Sequence, residues 1–145
     1  MQGSMKVVSA FACLVAACSG GGGGGGGASG SSANAFVGTW VYTSESGLYT
    51  CPETSGPISA SAGAEATITA SGAGISTDSP CDLDLSVSGN EASVDPGSSC
   101  VDSDGTSITV VSYTLTLSSD GSTIQESAHT QLKDCDYDYS ITMTR

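Results

Sequence analysis

The sequence predicts an all-β domain of about eight short antiparallel strands, closing as a small barrel or as a sandwich. Three observations carry this. Apolar and polar residues alternate with a period of two in several segments, the clearest being Cys81 to Val87. Tight-turn residues such as Gly89-Asn90 and Asp120-Gly121 separate those segments. No stretch of useful length shows helical periodicity.

In chain order, Phe36 to Thr43 alternates and reads as a first strand, with Phe36, Gly38, Trp40 and Tyr42 on one face. Ser44 to Ala64, rich in Ser, Gly and Pro, reads mostly as loop with a short strand near Leu48 to Cys51. Glu65 to Ala70 places Ala66, Ile68 and Ala70 inward, and Ile75 to Thr77 is a short candidate strand. Cys81, Leu83, Leu85 and Val87 face inward, and a turn at Ser88-Gly89-Asn90 returns the chain with Ala92 and Val94 inward. Ile108 to Leu117 is a long strand. A turn centred on Asp120-Gly121 opposes Leu117 to Ile124, Leu115 to Glu126, Tyr113 to Ala128 and Val111 to Thr130. A second turn at Lys133-Asp134 opposes Ala128 to Tyr139 and Glu126 to Ile141. The same face recurs in all three strands, so the registers agree.

Ahead of this domain, residues 1–17 read as an export signal. Lys6 supplies the positive start, Val7 to Ala17 the apolar run, and small residues precede Cys18. The run falls short of the roughly 20 residues a membrane span needs. Val15-Ala16-Ala17-Cys18 resembles the lipobox of bacterial lipoproteins. That resemblance implies cleavage before Cys18, acylation of its sulfur with palmitate-like chains, and attachment to the cell envelope through that lipid anchor. Two or three acyl chains hold a protein stably at a membrane where one does not. Ser19, rather than Asp, resembles lipoproteins delivered to the cell outer membrane, periplasmic or surface-facing. The eight glycines Gly20 to Gly27, continuing through Asn34, read as a disordered linker, because glycine loses the most backbone freedom on ordering. The globular domain is then 35–145, about 110 residues, enough for one modest core.

Past the signal, 2 basic side chains face 15 acidic ones, a balance of −13. Such a surface repels phosphate backbones, which excludes nucleic acid as a partner. Cys51, Cys81, Cys100 and Cys135 remain after Cys13 and Cys18 are assigned to the signal and the anchor. An even number in an exported chain reads as two disulfides. The Ser88–Asn90 hairpin brings Cys81 towards Cys100, which favours Cys81–Cys100 and Cys51–Cys135.

Gly38-Thr39-Trp40 at the head of the first strand resembles the G-x-W signature of lipocalins. The resemblance implies an up-and-down, lipocalin-like barrel, with a basic residue after the last strand lying across the tryptophan. Arg145 is the residue in that position, so Trp40 and Arg145 are the expected closure of the base. A small apolar ligand held inside would meet Trp40, Tyr42, Tyr113, Glu126, Tyr137 and Tyr139. The alternative is a filled core with no small-molecule ligand, the domain acting as a surface or interaction module towards an envelope protein.

No catalytic constellation is predicted, and neither an enzyme nor a cofactor is expected. His129, the single histidine, falls on an outer face beside Ser127 and Gln131. Asp134, Asp136 and Asp138, Asp82 and Asp84, and Asp102-Ser103-Asp104-Gly105 read as solvated faces and a turn, not a metal site. Glu126 stands out because its register turns a carboxyl inward, which requires a partner or a shifted pKa.

Overall fold

The computed structural model describes residues 30–59 and 62–145. The expected signal segment, Cys18 and the glycine run lie outside those residues. The first described element is a short helix, α1 (Gly30–Phe36). It takes up residues 30–34, expected as the end of the linker, and Phe36, expected to open the first strand. Ala33 and Phe36, three residues apart and so on one helix face, are both buried against the end of the barrel.

Ten strands follow: β1 (Gly38–Cys51), β2 (Thr54–Ile58), β3 (Glu65–Ser71), β4 (Gly74–Thr77), β5 (Leu83–Ser88), β6 (Glu91–Ser93), β7 (Ser98–Val101), β8 (Ser107–Leu117), β9 (Thr123–Leu132) and β10 (Cys135–Thr144). Eight of them, in the order β1-β3-β4-β5-β6-β8-β9-β10, pair antiparallel with their neighbours, and β10 pairs back onto β1. The domain is a closed up-and-down barrel, and the sandwich alternative is set aside by that last pairing. β2 pairs with the far half of β1, and β7 with the first half of β8. The long strands β8, β9, β10 and β1 therefore run past one rim of the barrel. There they form a six-stranded extension edged by β7 and β2.

Within the segment expected as loop, Ser44 to Ile58 is far more ordered than its composition suggests. β1 continues unbroken to Cys51 because β10 lies alongside it, from Val41 opposite Thr144 to Thr50 opposite Asp136. Pairing in the tertiary structure overrides the weak strand preference of Ser and Gly. Gly47 has a positive reason to be glycine, since a Cβ there would run into the Asp138 carbonyl and the Tyr139 backbone. Ala70, expected inward, is exposed.

Both predicted C-terminal turns hold their registers, with Leu115 opposite Glu126 and Glu126 opposite Ile141. In the first turn Asp120 accepts hydrogen bonds from the hydroxyls of Ser118 and Ser122, and Gly121 takes φ 70°. One pairing differs. Thr130 opposes Val110, not Val111, because the register shifts between Val110 and Ser112. The bulge turns Val111 outward and lets Val110 and Ile108 fill the interior.

One contiguous cluster of side chains occupies the barrel, including Trp40, Ile68, Ile75, Leu85, Tyr113, Leu115, Ile124 and Met143. At the base, the Trp40 indole N–H donates to the Phe36 carbonyl at 2.8 Å, and the Arg145 guanidinium lies 4.6 Å from the Trp40 ring centroid. Arg145→Ala should cost about 1 kcal/mol of stability, the value of a partly desolvated cation–π contact. Chemical denaturation followed by Trp40 fluorescence measures this, and an unchanged midpoint would show the contact to be idle.

Two disulfides are present. Cys51–Cys135 joins β1 to β10 with Cα atoms 4.2 Å apart, and Cys81–Cys100 ties the start of the β5 segment to β7 at 6.0 Å. They close 84 and 19 residues of sequence. Constraint of the unfolded chain then favours the folded state by about 4.5 and about 3 kcal/mol respectively. Paired Cys→Ser substitution should lower the thermal midpoint more for Cys51/Cys135 than for Cys81/Cys100. The reverse order in calorimetry would show that native contacts, not loop length, set the effect.

Candidate functional site

The polar site of the barrel lies where its packed interior meets the open extension. One row of side chains runs across the sheet there: Glu45 on β1, Ile141 on β10, Glu126 on β9 and Leu115 on β8. The adjacent rows add Tyr42, Tyr139 and Tyr113, whose charge interactions all reach Glu126. With strands about 4.8 Å apart, the Glu45 and Glu126 backbones are about 10 Å apart, and both side chains share the inner face.

Glu126 is fully buried, and neither carboxyl oxygen has a hydrogen-bond partner. Burial pushes its pKa up to about 8; the Glu45 charge adds to the rise, and the nearby Tyr113 and Tyr139 hydroxyls oppose it. Tyr113 donates to the Ser79 carbonyl at 3.0 Å, and the Tyr42 hydroxyl is bonded to Ser79 Oγ at 2.5 Å. Burial also holds the Tyr42, Tyr113 and Tyr139 hydroxyls well above the ordinary phenol range. Glu45 is half-buried, its Oε2 is buried without a partner, and burial raises its pKa.

Glu45 is the residue that sequence reasoning missed. Strict alternation from Trp40 and Tyr42 sends Glu45 outward. A register shift between Tyr42 and Ser44 inverts the alternation and turns it inward beside Tyr42. The signal available in sequence was only a lone Glu in a Ser-rich stretch.

Of the expected lining residues, the structure brings Tyr42, Tyr113, Glu126 and Tyr139 together. Trp40 belongs to the base, with Phe36 and Arg145. Tyr137 sits on the extension, its ring centroid 6.2 Å from that of Tyr49. Two hollows on the described residues are open to solvent. One of about 230 Å³ is lined by Ser46, Ser127, Asp138 and Ser140 with Ala128 and Tyr139; the other, about 580 Å³, lies between the Gly105–Thr109 segment and Gln131 and Lys133.

On the outer face His129 contacts Asp136 at 3.1 Å and Asp138 at 3.5 Å. Asp102 accepts from the backbone N–H of Asp104 and of Thr106, so its carboxylate closes its own turn. Among the described residues no group of three or more His, Cys, Asp or Glu is arranged to hold a metal ion.

Compared with known proteins, the chain matches no family model, no curated protein and no solved structure. The geometry of its own residues is therefore what bears on function.

The buried carboxyl makes stability depend on pH. Folding raises the Glu126 pKa from 4.5 to about 8, so between those values the native state binds more protons than the unfolded chain. Stability is then highest below the unfolded value and falls as pH rises through the window, by about 5 kcal/mol in all. Glu126→Gln should remove most of that slope in denaturant titrations across the same window. An unchanged slope would assign the titration to another group.

Proposed function

We propose that this chain is a lipid-anchored envelope protein that holds a filled, acidic β-barrel away from the membrane and acts through the barrel's mouth and surface. The observation that carries the reading is the contiguous core, from Phe36 and Trp40 at the base to Tyr113 near the mouth. A side-chain cluster of this extent leaves an apolar ligand little room inside the barrel. The anchor is supported by Val15-Ala16-Ala17-Cys18, and Ser19 favours the outer membrane. A glycine-rich composition between anchor and barrel suits a strongly acidic domain held near anionic lipid.

Two measurements test this. Cells expressing the full chain should incorporate an alkyne-palmitate label that Cys18→Ser abolishes, and the same substitution should move the protein from the membrane to the soluble fraction. Persistent membrane partition of Cys18→Ser would refute the anchor. A fluorescent fatty-acid probe should show no saturable binding to the barrel. Saturable binding weakened by substitution of Tyr113 would restore the apolar-carrier reading.

A further inference from the structure

Among the described residues, the buried side-chain nitrogen or oxygen atoms without a hydrogen-bond partner are three: Glu126 Oε1, Glu126 Oε2 and Glu45 Oε2. All belong to one row of the inner face. An unpartnered buried carboxyl oxygen costs more than a hydrogen bond typically returns, so scattered cases in a native protein are few. Three converging on one place mark a site left without a partner among the described residues.

The described residues offer no cation there. Arg145 is committed to Trp40 at the base, and Lys133 occupies the turn between β9 and β10. The Tyr42 and Tyr113 hydroxyls are bonded to Ser79, and the Tyr139 phenol, held protonated by burial, carries no charge to balance a carboxylate. A divalent metal is poorly served, since hard cations want six or more oxygens and the row offers two carboxyls. The surrounding phenols, held protonated by burial, cannot act as anionic ligands. A single ammonium would leave one carboxylate uncompensated. A quaternary amine has no N–H to give. Two primary ammonium groups joined by an apolar chain answer every feature: N–H donors for the three oxygens, charge balance for two carboxylates, methylenes for Ile141 between them, and aromatic rings beside the cations. The −13 balance of the domain raises the local concentration of such a ligand.

We infer that Glu45 and Glu126 form a binding site for a short aliphatic diamine, one ammonium on each carboxylate, at the mouth of the barrel. The site does not depend on whether Cys18 is acylated. Because Glu126 is protonated at neutral pH when unoccupied, binding expels a proton from it, and affinity rises with pH up to the range where Glu126 ionises by itself.

The test is calorimetric titration of the full chain with 1,4-diaminobutane, in two buffers of different ionisation enthalpy. Saturable binding is expected, with a buffer-dependent heat reporting proton release. Glu126→Gln, which replaces a buried neutral carboxyl with an amide of the same shape and should fold at least as well, is expected to weaken binding at least tenfold and to abolish the proton release. Glu45→Gln should weaken it at least tenfold and keep the release. Glu53→Gln, an exposed acid elsewhere, should change nothing, and 1,4-butanediol should not bind. No saturable binding to the unaltered chain overturns the site. So does binding indifferent to both Gln substitutions, which would reduce it to general surface charge. Calcium chloride displacing the diamine stoichiometrically, in a Glu126-dependent way, would make it a metal site instead.

Discussion

The pairing of the last strand onto the first is the constraint on which the rest of this structure depends. β10 runs beside β1 from Val41 opposite Thr144 to Thr50 opposite Asp136, and Cys51–Cys135 fixes the far end. Without that ladder the eight barrel strands would form an open sheet with two long unpaired edges. With it, Trp40 and Tyr42 on the first strand meet Ile141 and Met143 on the last, and the core closes on itself. The ends nearly one hundred residues apart must find each other before any of this is gained, which makes the contact order high and the covalent tie valuable.

Closure also decides what sits at each end. At the base, Arg145 follows directly from β10 and so arrives over Trp40 near the head of β1. The indole N–H is satisfied by the Phe36 carbonyl, so a large polar-edged ring is buried with no unmet donor. At the mouth the same two strands bring Glu45 into the row that holds Glu126. One end is thus sealed by complementary contacts, and the other holds two carboxyls with no complement among the described residues. The asymmetry makes the mouth, and not the base or the outer acidic faces, the place to look for chemistry.

Much of the C-terminal half was legible because its signals are local. Asp120-Gly121 and Lys133-Asp134 each fix a register within a few residues, and the alternation of Leu115, Leu117, Ile124, Ile141 and Met143 agrees with both. The inward placement of Glu126 followed from those two turns. The N-terminal half was harder to read. Between Ser44 and Ile58 the chain carries few β-branched or aromatic residues, and it is strand because β10 and its own return strand β2 pair with it. The helix over 30–36 was equally hidden. It is too short to carry periodicity and holds its place through Ala33 and Phe36 buried on the barrel.

By itself the sequence determined the all-β class, the hairpins, the presence of two disulfides with a favoured pairing, and the awkward carboxyl at Glu126, since all of these rest on period, turn chemistry and parity over short distances. It also carries the Val15–Cys18 motif and the glycine run, which are compositional features. Only the tertiary structure decided the parity changes. A single extra residue near Thr43 and another at Val111 reverse which side chains face the core. A bulge has no reliable mark in sequence, because what places it is the fit between strands that are distant along the chain. One of those two bulges moves Glu45 from the solvent to the mouth, where it joins Glu126.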